Sequence, residues 1–225
     1  MRVPIVFLDA NVLYSKTLRD WIFLLREETA GGLFTVVSSN DTIGEAMYWI
    51  RRKKPLAPGH VTARPKEIIE NALDDIVRDF PGGASFPGGD RHDVHVHAAA
   101  TACNASYVIT SDKGFHTVAD QLEYEVHTAD SFLQLVAENM PQAVDRVILR
   151  QNEYRSKHGA TKTLSTALVD ARCPTFAVIV DRHLRAIAQG STTTGIAGSV
   201  DFIPTPLDES TAPAQPVATP ARTGR

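Results

Sequence analysis

Val3 to Leu8 is an unbroken apolar run closed by Asp9-Ala10-Asn11, the pattern of a strand buried on both faces and therefore central in a parallel sheet. The polar residues then stand at its carboxyl end. Ser15 is placed to cap a helix over Lys16–Glu28, where Leu18, Ile22 and Leu25 form the apolar stripe and Gly31-Gly32 follow as the stop. Phe34–Val37 predicts a second strand. A helix should follow from Ser39 or Asn40 to about Arg52, and a third from Arg64 or Pro65 to Asp79, turning Ile68, Ile69, Ala72, Leu73 and Ile76 inward. Gly82 to Gly89 reads as a turn, because it has neither the G-x-x-x-x-G-K-[ST] spacing nor the preceding apolar strand of a phosphate loop. A helix beginning near Asp90 carries Val94, Val96 and Ala98-Ala99-Ala100 to Cys103, and Tyr107–Thr110 is another buried strand, ended by Ser111-Asp112. Glu123–His127 predicts a short edge strand and Ala129–Asn139 a closing helix with Asp130 in its first turn. Strands alternating with helices imply an α/β fold, a mostly parallel central sheet flanked by helices and joined by right-handed crossovers.

The pattern changes after Met140-Pro141. Residues 1–139 hold 13 Lys+Arg against 19 Asp+Glu, whereas residues 140–225 hold 10 against 7. Ala143–Lys157, Lys162–Val169 and Pro174–His183 predict short helices, too few to bury a core alone, so residues 140–189 should be a small basic appendage packed on the first domain. From Gly190 to Arg225 the chain is rich in Ser, Thr, Ala, Gly and Pro, the composition of a disordered tail. The net charge of the whole chain is only −3, so any contact with nucleic acid must be local rather than by bulk charge. Two cysteines, Cys103 and Cys173, support neither a disulfide framework nor a cysteine zinc site. No stretch approaches the ~20 apolar residues that span a bilayer, and a reducing, cytoplasmic setting is expected.

The acidic residues fall at informative places. Asp9 ends the first strand, Asp93 lies near the start of the helix after Asp90, and Asp112 follows Tyr107–Thr110 directly. If those two strands are neighbours, Asp9 and Asp112 face one crevice, the place where open parallel sheets bind ligands. Crowded carboxylates repel unless a hard divalent cation neutralises them, and oxygen donors suit Mg²⁺ or Mn²⁺. Metal-assisted hydrolysis of a phosphodiester is the chemistry such a cluster serves.

Four segments in order, Asp9-Ala10-Asn11, Ile43-Gly44-Glu45-Ala46, Asp93 within Asp90-Arg91-His92-Asp93-Val94-His95-Val96, and Thr110-Ser111-Asp112-Lys113-Gly114-Phe115, resemble the PIN-domain ribonucleases, and among them the VapC-like toxins of type II toxin–antitoxin pairs. The resemblance spans about residues 3–139. It implies a PIN-like domain, a Mg²⁺- or Mn²⁺-dependent endoribonuclease, RNA as substrate, a cognate antitoxin protein and a homodimer. Carried over residue by residue, Asp9, Glu45, Asp93 and Asp112 would be the catalytic, metal-binding acids. Asn11 and Ser111 would orient the ligands or a water, and Asp90 suits the helix cap beside them. The C-terminal appendage departs from the short toxins, whose chains end near the closing helix.

Blander readings stand beside these. Glu45 lies nearly opposite the packing stripe Ile43, Ala46, Met47, Ile50, together with Tyr48 and Trp49, so it also reads as an exposed helix carboxylate. Asp112 also reads as a turn residue before Gly114. His92 and His95, or Asp93 and His97, lie one helical turn apart and could pair on zinc, yet the sequence places no third ligand. Arg51-Arg52-Lys53-Lys54 fits both a solvated helix end and a contact to RNA beside Glu45. Other functional classes also remain open: a haloacid-dehalogenase-type phosphatase, though Asn11 stands where its second acid belongs; a non-catalytic module binding RNA or a partner; and an RNA-processing nuclease without an antitoxin.

Overall fold

The computed structural model describes residues 3–190; the tail expected to be disordered lies outside the described residues. Five strands, β1 (Ile5–Leu8), β2 (Thr35–Ser39), β3 (Asp75–Val77), β4 (Tyr107–Ile109) and β5 (Glu125–His127), form one sheet in the order β3-β2-β1-β4-β5. All four pairings are parallel. The chain runs outward from β1 to β3 on one side and through β4 to β5 on the other, so the order reverses beside β1. Such a reversal opens a crevice at the strands' carboxyl ends. The register Leu8↔Ile109 ends β1 and β4 level with each other and so delivers Asp9 and the Thr110–Asp112 segment to it together.

Alternation along β1 explains the two cores. Val6 and Leu8 point into the larger one and Phe7 into the smaller, where Val108, Val96, Ala99 and Phe115 surround it. Helices α1 (Ala10–Tyr14), α2 (Lys16–Glu28), α3 (Asn40–Lys53), α4 (Gly59–Ala72), α5 (Val94–Ala102), α6 (Lys113–Thr117) and α7 (Ala129–Asn139) flank the sheet. Helix α2 has the expected bounds because Ser15 Oγ accepts from Leu18 N, and α3 starts where Ser39 Oγ accepts from Thr42 N.

Two expected elements are corrected. The apolar pattern through Ile76 predicted one helix to Asp79, but α4 occupies Gly59–Ala72 and Ile76 belongs to β3. Tertiary pairing overrides the helical period there. Asp74 accepts from Val36 N at 2.7 Å and pairs with Arg26, pinning the chain against β2, and Ser38↔Ile76 then completes an edge strand. The helix expected from Asp90 begins instead at Val94, with Asp93 at its cap position. Asp90 is not that cap: its Oδ1 accepts from His92 N at 2.8 Å in the preceding turn.

The appendage is α8 (Pro141–Lys157), α9 (Leu164–Asp170) and α10 (Pro174–Gly190). Its Val144, Val147, Ile148, Leu168, Phe176 and Val180 join the larger core. Trp21 of α2 meets Phe176 edge to face at 4.9 Å, and both rings are fully buried. Asp130 lies in the first turn of α7, as its place in the sequence predicts, and its carboxylate also accepts from Thr175 N and Phe176 N, tying α10 to α7. Among the described residues no helix is long and apolar enough to cross a membrane.

Candidate active site

Asp9 is the fixed point of the crevice. It caps α1, with Oδ1 accepting from Ala10 N at 2.6 Å, while Oδ2 accepts from Asn11 Nδ2 and, at 2.5 Å, from Thr110 Oγ1. Only 7% of Asp9 is exposed. Burial pushes its carboxyl above the usual carboxylate range, the Thr110 and Ala10 hydrogen bonds pull it back, and the Glu45 charge pushes it up again.

Thr110 links the two strand ends. Its Oγ1 also receives Asn11 Nδ2 at 3.0 Å and Asp112 N at 2.9 Å. Asn11 Oδ1 accepts from Ser111 N at 3.1 Å, so the Asn11 amide spans both loops. The Ser111 residue itself is exposed. Asp112 caps α6, its Oδ1 accepting from Gly114 N at 2.6 Å.

Asp93 approaches from the other side. A Cβ at Gly114 would lie 3.0 Å from Asp112 Oδ1 and 3.1 Å from Asp93 Oδ2, so these two oxygens flank a single point. Asp93 Oδ2 is buried without a hydrogen-bond partner. Burial first, then the charges of Asp112, Asp90, Asp9 and Glu45, push the Asp93 carboxyl up to about 6. Four other acids thus bear on Asp93, and Glu45 bears on Asp9 as well.

Glu45 projects from α3 as an exposed residue, as its place on the helix wheel predicts, yet its charge acts on both Asp9 and Asp93. Its Oε1 accepts from Trp49 Nε1 at 3.3 Å and its Oε2 lies 3.8 Å from His95 Nε2. His95, which the sequence marks only as one of a helical pair with His92, thus joins the site, and its charge acts on Asp9 as well. His97 instead bonds Tyr124 through Nδ1 at 2.8 Å and is held below the usual histidine range by burial. His97 is therefore engaged by Tyr124, on which the Asp93 charge also acts. Thr110 and Gly114 carry no functional signal of their own in the chain, since a strand-end threonine and a glycine after Asp-Lys also fit ordinary turn chemistry.

The four basic residues after α3 divide. Arg51 Nη1 donates to Ala57 O at 2.6 Å and so holds the following loop, while Arg52 lies over the Trp49 ring at 5.3 Å. Lys53 and Lys54 line a cleft of about 920 Å³ that Asn11 and Ser111 also line.

Among the described residues no three His, Cys, Asp or Glu side chains stand close enough together to hold a metal ion as they are. The donors nevertheless suit a hard cation: they are carboxylate oxygens from four loop or helix segments, and Asp93 Oδ2 is buried with nothing to satisfy it. No family model, curated protein or solved structure matches the chain.

Proposed function

We propose that this α/β domain is a PIN-like, Mg²⁺- or Mn²⁺-dependent endoribonuclease, acting as the toxin of a type II pair alongside an antitoxin protein. The observation that carries the reading is the meeting of Asp9 and Asp112 at adjacent strand ends, with the buried, unsatisfied Asp93 Oδ2 flanking the same point at Gly114 as Asp112 Oδ1 and the Glu45 charge acting on both Asp9 and Asp93. Repulsion of that kind is tolerated where function requires it.

Asp9, Glu45, Asp93 and Asp112 would hold the cation, which supplies Lewis-acid activation for in-line hydrolysis of a phosphodiester. Thr110 and Asn11 position Asp9, and the Asn11–Ser111 bond fixes the loop that carries Asp112. With water as the attacking group, rather than a side chain or the ribose 2′-hydroxyl, and the 3′-oxygen as the leaving group, the products would carry 5′-phosphate and 3′-hydroxyl ends.

The test is cleavage of total cellular RNA by the purified chain. Cleavage should appear with Mg²⁺ or Mn²⁺, vanish with EDTA, and vanish in Asp9→Asn and Asp112→Ala. Full cleavage in EDTA or in Asp9→Asn refutes the reading.

A further inference from the structure

We propose that the cleft leaving the acidic crevice is the track of a single RNA strand, and that the C-terminal appendage is its far wall. The cleft, about 920 Å³, starts at Asn11 and Ser111 beside Asp9 and ends against Ala171 and Arg172, which follow α9. That volume is at the upper end of the ~300–1,000 Å³ typical of ligand sites, enough for a short stretch of extended chain.

Its charge is opposite to that of the domain around it. Lys16, the adjacent Lys53 and Lys54, Lys113 and Arg172 come from four different places in the chain to line it, and Asp170 is the one acid among the lining residues. Asp170 is already matched by Lys162 Nζ at 2.5 Å. Arg19 also lines the cleft but is buried, donating Nη1 to Leu13 O at 2.8 Å, and belongs to its floor. Residues 1–139 carry a net charge of −6, so this gathering of cations is local.

Lys16 opens α2 and Lys113 opens α6, the ends at which a helix dipole repels positive charge. Arg172 stands where α9 ends, in the left-handed backbone, φ 63°, of a helix C-terminus, its N donating to Val169 O and Cys173 N to Leu168 O. That helix ending holds Arg172 in the lining of the cleft. Tyr14 adds an aromatic face to the lining, with Lys53 Nζ 5.4 Å from its ring centre. A phosphate backbone with bases to stack matches this combination. That the strand is RNA rests on the nuclease reading; that a polyanion runs between α2, α6 and the appendage rests on the cleft.

The decisive measurement is the anisotropy of a fluorescein-labelled single-stranded RNA oligonucleotide with the full chain, in EDTA, over a series of salt concentrations. Five phosphate contacts would give a slope of log K against log[salt] of about −3.5, at roughly 0.7 per contact for a single strand. Arg172→Asn, chosen because asparagine accepts the left-handed backbone, should weaken binding several-fold and flatten the slope by about 0.7. The double variant Lys16→Gln with Lys113→Gln should flatten it by about 1.4. Lys157→Gln, whose lysine pairs with Glu153 on α8, should bind as the unmodified chain does.

Unchanged affinity and slope in both groove variants overturn the proposal. So does groove-dependent binding of a polyglutamate peptide without binding of RNA, which would make the cleft a protein-docking site. Groove-dependent RNA binding without cleavage in Mg²⁺ or Mn²⁺ upholds the track and refutes the nuclease. Cleavage lost in Asp9→Asn but unaltered, with unaltered binding, in the groove variants does the reverse.

Discussion

Replacing Asp93 with asparagine should make the metal-free protein more stable at neutral pH while destroying its activity. The Asp93 carboxyl ionises at about 6 in the folded chain against 3.8 as its ordinary value. The folded state therefore holds this proton more tightly than the unfolded state, and stability falls as the pH rises from about 4 to about 6. Above that window the cost is fully present. At ~1.4 kcal/mol per pH unit the interval sets a ceiling of about 3 kcal/mol; because the side chain is only partly buried, solvent screening reduces this to roughly 1–2 kcal/mol.

Asp93→Asn removes the charge and keeps the shape, so in EDTA at pH 7.5 its melting temperature should rise by on the order of 2–6 °C. At pH 4.5, where most of the native carboxyl is already protonated, the gain should largely vanish. Adding Mg²⁺ should narrow the gap, because a cation bound only by the folded state stabilises the unmodified chain more than the variant. Thermal melts followed by circular dichroism at the two pH values, with EDTA and with Mg²⁺, make the comparison. An Asp93→Asn protein no more stable than the parent at pH 7.5 in EDTA, or equally stabilised at both pH values, refutes the crowded-carboxylate account.

Two further outcomes follow from the packing. Gly114→Ala gains helix propensity but sets a methyl 3.0 Å from Asp112 Oδ1 and 3.1 Å from Asp93 Oδ2, so RNA cleavage should fall tenfold or more while stability stays within about 1 kcal/mol. Cleavage at the parent rate would show that these oxygens do not need their present positions. Phe176→Ala opens a cavity against Trp21 in the shared core and should cost about 3–5 kcal/mol, with urea unfolding still a single transition. A separate, earlier transition confined to α8–α10 would show that the appendage is its own unit.

Much of the architecture is legible in the chain because its signals are local. The apolar run before Asp9 announces a central strand, and Ser15 and Ser39 mark helix starts that the structure uses. The misreadings occur where a distant partner decides. Ile76 carries the helical period of α4 but pairs with Ser38 in the sheet, and only the Asp74 contacts to Val36 and Arg26, across the intervening α3 and α4, explain it. Asp90 looks like a cap until its turn to His92 is seen. At the candidate site the acids advertise themselves by standing at strand and helix ends, whereas Thr110 does not. Its importance arises from three hydrogen bonds to residues up to 101 positions away.

Thr110 consequently offers the sharpest separation of positioning from packing. Its hydroxyl donates to Asp9 Oδ2, and its oxygen receives both Asn11 Nδ2 and Asp112 N. Thr110→Val keeps the shape and fully buried environment but strands the Asp112 amide and removes a donor from Asp9, at a cost of about 1–3 kcal/mol. Because the Thr110 bond lowers the Asp9 carboxyl from the level to which burial raises it, its loss must raise that carboxyl further. The acid limb of the pH–rate profile should therefore move to higher pH and kcat/KM should fall, while Thr110→Ser, which restores the hydroxyl, should return both toward the parent. A valine variant with the parental acid limb and rate would show that Asp9 is held by its burial and by Ala10 and Asn11 alone.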